Sequence, residues 1–261
     1  MTIRITMKTA SLWAAAALGL ALLQGCASGP HVSQYDPLEP FNRSVFRLNE
    51  GLDRVVLKPA ATAYRDVTPT PVRTGVTSFF ENISDFGSFF NNVLQAKPVA
   101  AADTFFRFTV NTFWGLGGIF DVASEMKIPK HKEDFGQTMG IWGVASGPYL
   151  VLPVLGASTV RDSVGLLVDA QASLLSNADN VPVRNSLTGL RVIDTRANLL
   201  NAGDLLDQAA LDKYTFSRDI YLQRRQSQIE QSGTPPPEER YDLPETTPAT
   251  TAPAAPGPDT K

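Results

Sequence analysis

The sequence predicts an all-α domain that a lipid anchor ties to a membrane. Two observations predict the fold class: apolar residues recur at steps of three and four between residues 36 and 231, and proline-containing breaks separate these stretches. A third observation, a single cysteine placed directly after an N-terminal apolar run, predicts the anchor. About 195 residues lie between the two unpatterned ends, which is enough for one domain of ordinary size.

The N-terminus carries the features of a secretory signal peptide. Arg4 and Lys8 precede a nearly uncharged run of about fifteen residues. This run is shorter than the roughly 20 residues that a membrane-spanning helix needs. Residues 1–25 are therefore predicted to be a signal peptide that is removed from the mature protein.

The cysteine that follows is the predicted site of lipidation. Leu23 and Gly25 fit the lipobox of bacterial lipoproteins around Cys26, although Gln24 is atypical there. Cys26 is the only cysteine, so no disulfide can form within the chain. Residues 26–35 then form a lipidated linker, and Ala27, where an Asp would retain the protein at the inner membrane, favours the outer membrane.

The charge balance argues against nucleic-acid binding. Removal of Arg4 and Lys8 leaves 21 of the 23 Lys and Arg against 26 Asp and Glu, a net charge of −5. Such a surface lacks the basic patch that nucleic acids require. At the other end, residues 232–261 are rich in Pro, Thr and Ala and are predicted to be a disordered tail. This tail either has no specific role or captures a periplasmic partner.

The first helix is predicted to start at the segment Asp36–Glu39. Asp36 can cap the helix, Pro37 suits its first turn, and Glu39 completes a capping box. Apolar residues continue at helical spacing to Val55. The Lys58-Pro59 pair then ends or kinks the helix, and residues 68–71 form a break before the next one.

Two phenylalanine-rich helices follow, and ten of the fourteen Phe lie between residues 79 and 120. One face of this region is a candidate surface for contact with lipid, formed by Phe79, Phe80, Ile83, Phe86, Phe89, Phe90, Phe105 and Phe106. The opposite face of the first helix carries Asn, Ser and acidic residues. The same stripe fits either a protein core or an interfacial helix that lies in the acyl boundary, and the pattern leaves both open.

Two further segments each allow two interpretations. Residues 148–157 are apolar and interrupted by Pro153 and Gly156, which suits a re-entrant hairpin at membrane depth or an ordinary buried loop. Arg191, Asp194 and Asn198 recur at helical spacing, as does Asn201. This polar stripe is either a surface that faces water or the polar lining of a channel.

Motifs that would indicate an enzyme or a metal site are missing from the sequence. His31 and His131 have no partner at the spacing of metal ligands, and the phosphate-binding, dinucleotide-binding, zinc-protease and hydrolase motifs do not occur. Ser124 and Lys127 match S-x-x-K, but the companion boxes of that motif are absent. We therefore predict no catalytic residue, no metal and no cofactor.

Several long strings resemble one family of proteins in order along the chain. These are Tyr35-Asp36-Pro37-Leu38-Glu39-Pro40-Phe41-Asn42-Arg43, residues 111–123, residues 135–140 and residues 147–153, followed by Ser158 and Arg161-Asp162. They are similar to the MlaA (VacJ) phospholipid-trafficking lipoproteins. The likeness covers about residues 35–225.

The resemblance implies a ring of amphipathic helices, embedded in the inner leaflet of the outer membrane, with a central channel. Phospholipids that have strayed into the outer leaflet would pass through this channel to a soluble periplasmic carrier similar to MlaC, in a complex with a trimeric porin. One alternative function is a structural envelope lipoprotein that scaffolds a porin without moving lipid. Another is a lipid-cleaving enzyme, and the missing catalytic motifs argue against it.

Overall fold

The computed structural model describes residues 36–233. The predicted signal peptide, the Cys26 linker and the tail beyond residue 233 lie outside the described residues. Within them the chain is mostly helical, as predicted, with one short pair of strands. No helix among residues 36–233 is long and apolar enough to cross a membrane.

The N-terminal helical unit is continuous through its proline. Helix α1 spans Glu39–Leu52, a π-helical segment spans Asp53–Leu57, and α2 spans Lys58–Val67. Pro59 has no N–H and crowds the preceding turn, and the wider π-helical segment ends two residues before it. The proline therefore coincides with a change of helical geometry and not with the end of the helix.

The predicted capping box at the start of α1 is wrong. The helix begins at Glu39, and no side chain caps it. The Asp36 carboxylate is buried instead, where it accepts hydrogen bonds from the Asn42 amide at 2.9 Å and from the Tyr214 hydroxyl. The Asp36 carboxylate, which the local sequence predicts to cap the helix, thus binds Tyr214, a residue far away in the sequence.

The two phenylalanine-rich helices form an antiparallel pair. Helix α3 spans Thr70–Leu94 and α4 spans Pro98–Phe113, and the turn between them places Ala96 at φ 56°. Two short helices follow, α5 over Val122–Glu125 and α6 over Phe135–Ile141. Asp121 and Asp134 cap them by accepting hydrogen bonds from backbone N–H groups.

The apolar segment after α6 is a β-hairpin. Strand β1 spans Tyr149–Leu152 and pairs with β2, Gly156–Thr159, in antiparallel register. Side-chain amides of α1 hold it by paired hydrogen bonds, Asn42 to Tyr149 O and Val151 N, and Asn49 to Leu152 O and Val154 N. Tyr149 and Val151 are buried, whereas Val154 and Leu155 at the tip are exposed.

Four helices complete the fold: α7 spans Val160–Ala172, α8 spans Val181–Asn198, α9 spans Leu200–Ala209 and α10 spans Lys213–Gly233. Asn201 of the predicted polar stripe therefore belongs to the helix after the one that carries the other three residues. Helices α6 and α7 meet at two glycines, and a Cβ on Gly165 would lie 2.5 Å from Gly136 N.

The elements contact one another in a closed circuit. Helix α1 packs on β1, β2 on α7, α7 on α6, α6 on α3, α3 on α8 and α8 on α2, which returns to α1 through the π-helical segment. The two apolar core clusters are small: Ala61, Ala197 and Leu200 form one, and Tyr149, Val151 and Tyr214 form the other. Much of the remaining interior is polar.

Candidate functional site

The phenylalanines of α3 and α4 form much of the outer surface of this helix pair. Phe90, Phe105 and Phe106 are exposed, Phe106 by 57%, and pack edge to face with their neighbours. Of the other predicted lipid-contact residues, Phe79, Ile83, Phe86 and Phe89 are half-buried. Phe80 is only 5% exposed and lies in the protein interior, which removes it from that surface.

The apolar surface continues around the loop that follows α4. Phe113, Trp114, Leu116 and Phe120 are all exposed there. Soluble monomers rarely expose so many large apolar side chains together, and such patches mark surfaces for lipid or for another protein. The described residues thus present an apolar exterior on the side of α3 and α4.

The face of α3 that carries polar residues is turned inward. Asn82, Asp85, Ser88, Asn91 and Asn92 are all buried against α4 and the segment around residues 131–138. Asn92, for example, donates to Thr104 Oγ1 and to the backbone carbonyl of His131. The helix is amphipathic as predicted, but its polar side forms the packed interior and its aromatic side faces outward.

A buried ion pair anchors the end of this polar interior. Arg107, 2% exposed, donates to both carboxylate oxygens of Asp121 at 3.0 Å and to the carbonyl of Ile128 at 2.7 Å. Asp85 Oδ2 lies 3.8 Å from Arg107 Nε, outside hydrogen-bond distance. Burial raises the pKa of the Asp85 carboxyl to about 6, because the nearby cations offset only part of its desolvation.

The predicted channel residues of α8 lie at a junction between helices. Asp194 is 3% exposed and accepts hydrogen bonds from the Tyr64 hydroxyl of α2 and the Thr77 hydroxyl of α3. Arg191 is half-buried and donates to Ser84 Oγ at 3.0 Å, while Asn198 is exposed and donates to Thr77 Oγ1. Asp194 therefore joins three helices, and Arg191 and Asn198 lie one turn to either side of it.

A charged cavity of about 380 Å³ lies between α1, the π-helical segment, the hairpin, α8, α9 and α10. Phe46, Tyr149, Ala157 and Leu206 supply its apolar lining. Its charged lining consists of Glu50, Asp53, Arg54, Lys58, Arg196, Asp207 and Lys213. None of the three predicted channel residues lines it, although Arg196 belongs to the same helix.

Ion pairs fix most of the charges in this cavity. Arg196 donates to both carboxylate oxygens of Asp53 at 2.6 and 2.8 Å, and Lys213 contacts Asp207 at 2.7 Å. Arg54 is exposed and makes no ion pair with any residue between 36 and 233. The cavity thus combines apolar surface, charges of both signs and one free guanidinium. No spacing in the sequence points to this set, because its members come from positions as far apart as 50 and 213.

The side chains that could have indicated a metal or catalytic site contact other protein groups or solvent. His131 contacts Asp103 at 3.0 Å, and Ser124 hydrogen-bonds to Asp121 while Lys127 is exposed. No group of three His, Cys, Asp or Glu within residues 36–233 is placed to hold a metal ion. Asp36, Asp85, Asp162 and Asp194 are buried and belong to the polar interior of the protein.

Comparison with known proteins gives one consistent family. A model of the MlaA lipoprotein family matches residues 34–228. The chain is 40% identical over 217 residues to the intermembrane phospholipid transport system lipoprotein MlaA of Escherichia coli (strain K12), covering 80% of this chain and 85% of that protein. It is 36% identical over 233 residues to the protein of the same name from Haemophilus influenzae, covering 85% and 92%.

A solved structure agrees with this assignment. It comes from work on the structural basis for maintenance of bacterial outer membrane lipid asymmetry, and it matches with a TM-score of 0.66 and 36% identity over 74% of this chain and 98% of that one. Sequence and fold therefore agree over most of this chain. The chain belongs to the MlaA lipoprotein family.

Proposed function

We propose that the protein is an outer-membrane lipoprotein that removes mislocalised phospholipids from the outer leaflet and so maintains lipid asymmetry. The lipids would pass through an amphipathic channel to a soluble periplasmic carrier. The observation that carries this proposal is a closed circuit of helices with aromatic side chains outside and polar side chains within. Similarity to relatives named as phospholipid transport lipoproteins supports it.

The outer aromatic surface would hold the protein in the bilayer. Phe90, Phe105 and Phe106 would contact acyl chains directly, and the half-buried Phe79, Ile83, Phe86 and Phe89 would support them. Burying apolar side chains in an acyl environment is favourable without any charge on the headgroups, which suits an acidic protein. Embedding in the inner leaflet of the outer membrane is part of this proposal.

The charged cavity would form part of the channel. Moving a polar headgroup through an apolar slab costs several kcal/mol unless polar groups replace its water. The unpaired Arg54 could contact a lipid phosphate, while Phe46 and Leu206 offer apolar surface to the acyl chains. Arg191 and Asn198 would line the passage further along α8, and Asp194 would keep α2, α3 and α8 together.

Acylation at Cys26 would anchor the protein so that it faces the periplasm. A trimeric porin and an MlaC-like carrier would be its protein partners, and phospholipid its cargo. The proposed transport makes and breaks no bond, so the protein would act without being an enzyme and without a cofactor. Any driving force would come from its partners or from the lipid gradient.

The test is the amount of phospholipid exposed on the surface of cells that lack the protein, measured by labelling of surface lipid. We expect a rise that the wild-type gene reverses and that Cys26→Ala does not, because the aromatic surface alone would not keep the unacylated variant in the outer membrane. Membrane fractionation of the same strains checks that release. Normal fractionation of Cys26→Ala would contradict the acylation site.

The same strains distinguish the proposed transport from a structural role and from an enzymatic one. An unchanged surface phospholipid level in a mechanically weakened envelope would favour a structural lipoprotein that scaffolds a porin. Released fatty acid or lysophospholipid would instead indicate a lipid-cleaving enzyme.

A further inference from the structure

Helix α9 covers one side of the charged cavity. Gly203, Leu206 and Asp207 of this helix line the cavity, whereas Leu205 does not line it and is exposed. The remaining lining comes from α1, the π-helical segment, the start of α2, the hairpin, α8 and α10. A displacement of α9 would therefore open this side of the cavity to solvent while the other walls stayed in place.

A break in the helical backbone lies at each end of α9. Leu199, between α8 and α9, has φ −97° and ψ 1°, and Ala210, after α9, is extended with ψ 119°. The chain is held on either side of the segment between these breaks. Leu200 is only 2% exposed and packs in the apolar cluster with α2 and α8, and Tyr214 donates a hydrogen bond to the buried Asp36. The segment between Leu200 and Tyr214 is thus a helix suspended between two fixed points.

Between these two points α9 has little apolar burial. None of residues 201–208 is buried, and Leu206 is half-buried where it lines the cavity. Leu205 and Leu211 are both exposed. Burial of apolar surface therefore holds the first residue of α9 and contributes little to the rest.

Two ion pairs hold the rest of α9 against its neighbours. Lys58 Nζ lies 2.8 Å from an Asp204 carboxylate oxygen, and Lys213 Nζ lies 2.7 Å from one of Asp207. All four side chains are between 33% and 52% exposed. Ion pairs between such exposed groups stabilise little, and salt screens them, since the Debye length falls from about 10 Å at 0.1 M to about 3 Å at 1 M. An element held in this way opens more readily than the packed fold around it.

We propose that α9 is a movable strap that opens and closes the charged cavity, and that the ion pairs of Lys58 and Lys213 keep it closed. Leu200 and Tyr214 stay in place while residues 204–211 move outward. The cavity of about 380 Å³ lies near the lower end of the roughly 300–1,000 Å³ that hold drug-sized ligands, so a lipid with two acyl chains would need it to widen. That the opening admits a phospholipid rests on the proposed function, whereas the motion itself does not.

The first experiment measures how fast iodoacetamide, an uncharged reagent, alkylates the thiol of Ser217→Cys in the full-length acylated protein in non-ionic detergent. Ser217 is half-buried and lines the cavity from α10, and Cys26, the only other cysteine, would be blocked by its acyl group. Raising NaCl from about 0.05 to about 1 M should increase the rate roughly threefold or more, because screening opens the strap. The exposed Gln223→Cys, on the same helix outside the cavity, should react equally fast at both concentrations.

Two lysine substitutions, made together in the Ser217→Cys protein, test the ion pairs. Lys58→Met with Lys213→Met removes both attractions and keeps long side chains at both positions. At low salt the thiol should react roughly threefold faster or more, and further salt should add little, because no attraction is left to screen. Lys127→Met removes an exposed lysine outside the cavity and should behave like the parent protein. A double variant whose rate and salt dependence match those of Lys127→Met would overturn the proposal.

Pulsed electron spin resonance measures the motion itself, with nitroxide labels at Leu205→Cys and Gln223→Cys. We expect two distances between the labels, with the second gaining in proportion as salt rises or as the two lysines are replaced. Labels at Ser186→Cys and Gln223→Cys, both outside α9, should give one distance throughout. A single, unchanged distance from Leu205→Cys would show that α9 is fixed and would overturn the strap, even if the Ser217→Cys thiol reacted faster.

Neither measurement depends on lipid transport. Unchanged surface phospholipid in cells without the protein would defeat the proposed function and leave a movable α9 in place. A fixed α9, in a protein whose loss does raise surface phospholipid, would overturn the strap alone.

Discussion

At the scale of single residues, Asp85 carries a carboxyl group whose buried surroundings oppose its ionisation. It is buried in the polar interior of α3, and Arg107 lies too far away to hydrogen-bond with it. Its pKa is about 6 in the folded protein against an ordinary value of 3.8. The folded state therefore binds more protons than the unfolded state between about pH 4 and 6, and this group destabilises the fold as the pH rises through that window.

Asp85→Asn should remove this penalty. An amide resembles the neutral carboxyl in shape, and Arg107 keeps its hydrogen bonds to Asp121 and Ile128. We expect the free energy of unfolding to rise by about 2 kcal/mol at pH 8 and to change little at pH 4. Denaturant unfolding of both proteins across this pH range is the check, with the exposed Asp66→Asn as control. A variant less stable than the wild type at pH 8 would contradict the assigned desolvation.

At the scale of elements, α3 shows what a periodic pattern determines and what it leaves open. The spacing of Phe86, Phe89 and Phe90 predicts an amphipathic helix and its two faces. Periodicity does not say which face meets protein, because a polar face can be satisfied by water or by other polar side chains. The polar face is the buried one, because Asn92 of α3 and Arg107 of α4 donate hydrogen bonds to backbone carbonyls of distant segments, at His131 and Ile128.

Phe80 and Phe106 can test which phenylalanines of α3 and α4 point outward, because the sequence predicts both on one lipid-contact surface while only Phe106 is exposed. Phe106→Gln changes an exposed side chain and should alter the free energy of unfolding by less than about 1 kcal/mol, whereas Phe80→Gln buries an amide without a partner and should cost about 3 kcal/mol. Thermal unfolding in detergent measures both effects. Equal destabilisation would place both rings in the core.

The same surface should govern affinity for lipid. A Phe90→Gln, Phe105→Gln and Phe106→Gln triple variant keeps the core and removes three exposed rings. Its binding to vesicles, measured by flotation, should fall by tenfold or more, since each lost ring contributes on the order of 1 kcal/mol. Unchanged flotation would mean that lipid contact depends on other surfaces.

Much of the helical architecture was predictable, and a hairpin was one of the two interpretations of residues 148–157, while its β structure and the charged cavity were not predictable. Pro71 and Pro98 lie in the first turns of α3 and α4, where proline suits a helix. The strands around Pro153 are only four residues long, and Asn42 and Asn49 of α1 hold them by hydrogen bonds across more than a hundred residues. Asp53 and Arg196 meet across a similar separation, and no local spacing signals such a pair.

At the scale of the whole molecule, α10 links the two ends of the described residues, 36 and 213–233, and also contacts the middle of the fold. At one end Tyr214 donates to the buried Asp36. Further along, Arg225 bridges Asp134, the cap of α6, and Asp162 of α7. Burial acts to raise the pKa of the Asp162 carboxyl, but its hydrogen bonds, first of all from Arg225, outweigh burial and lower that pKa. The helix also borders the charged cavity through Lys213 and Ser217, so its attachment holds that wall of the cavity in place.

Arg225→Met should detach the C-terminal half of α10 while leaving its first turn in place. The buried Asp162 would lose one of its cationic partners, and we expect the free energy of unfolding to fall by about 3 kcal/mol. Hydrogen exchange should accelerate over residues 221–233 but not around Tyr214, which Asp36 still holds. Arg224→Met makes the same change at an adjacent exposed position and should have little effect. If both variants exchanged alike, the ion pairs of Arg225 would not be what holds this helix, and its attachment would depend on the apolar contacts of Tyr214 and Tyr221 instead.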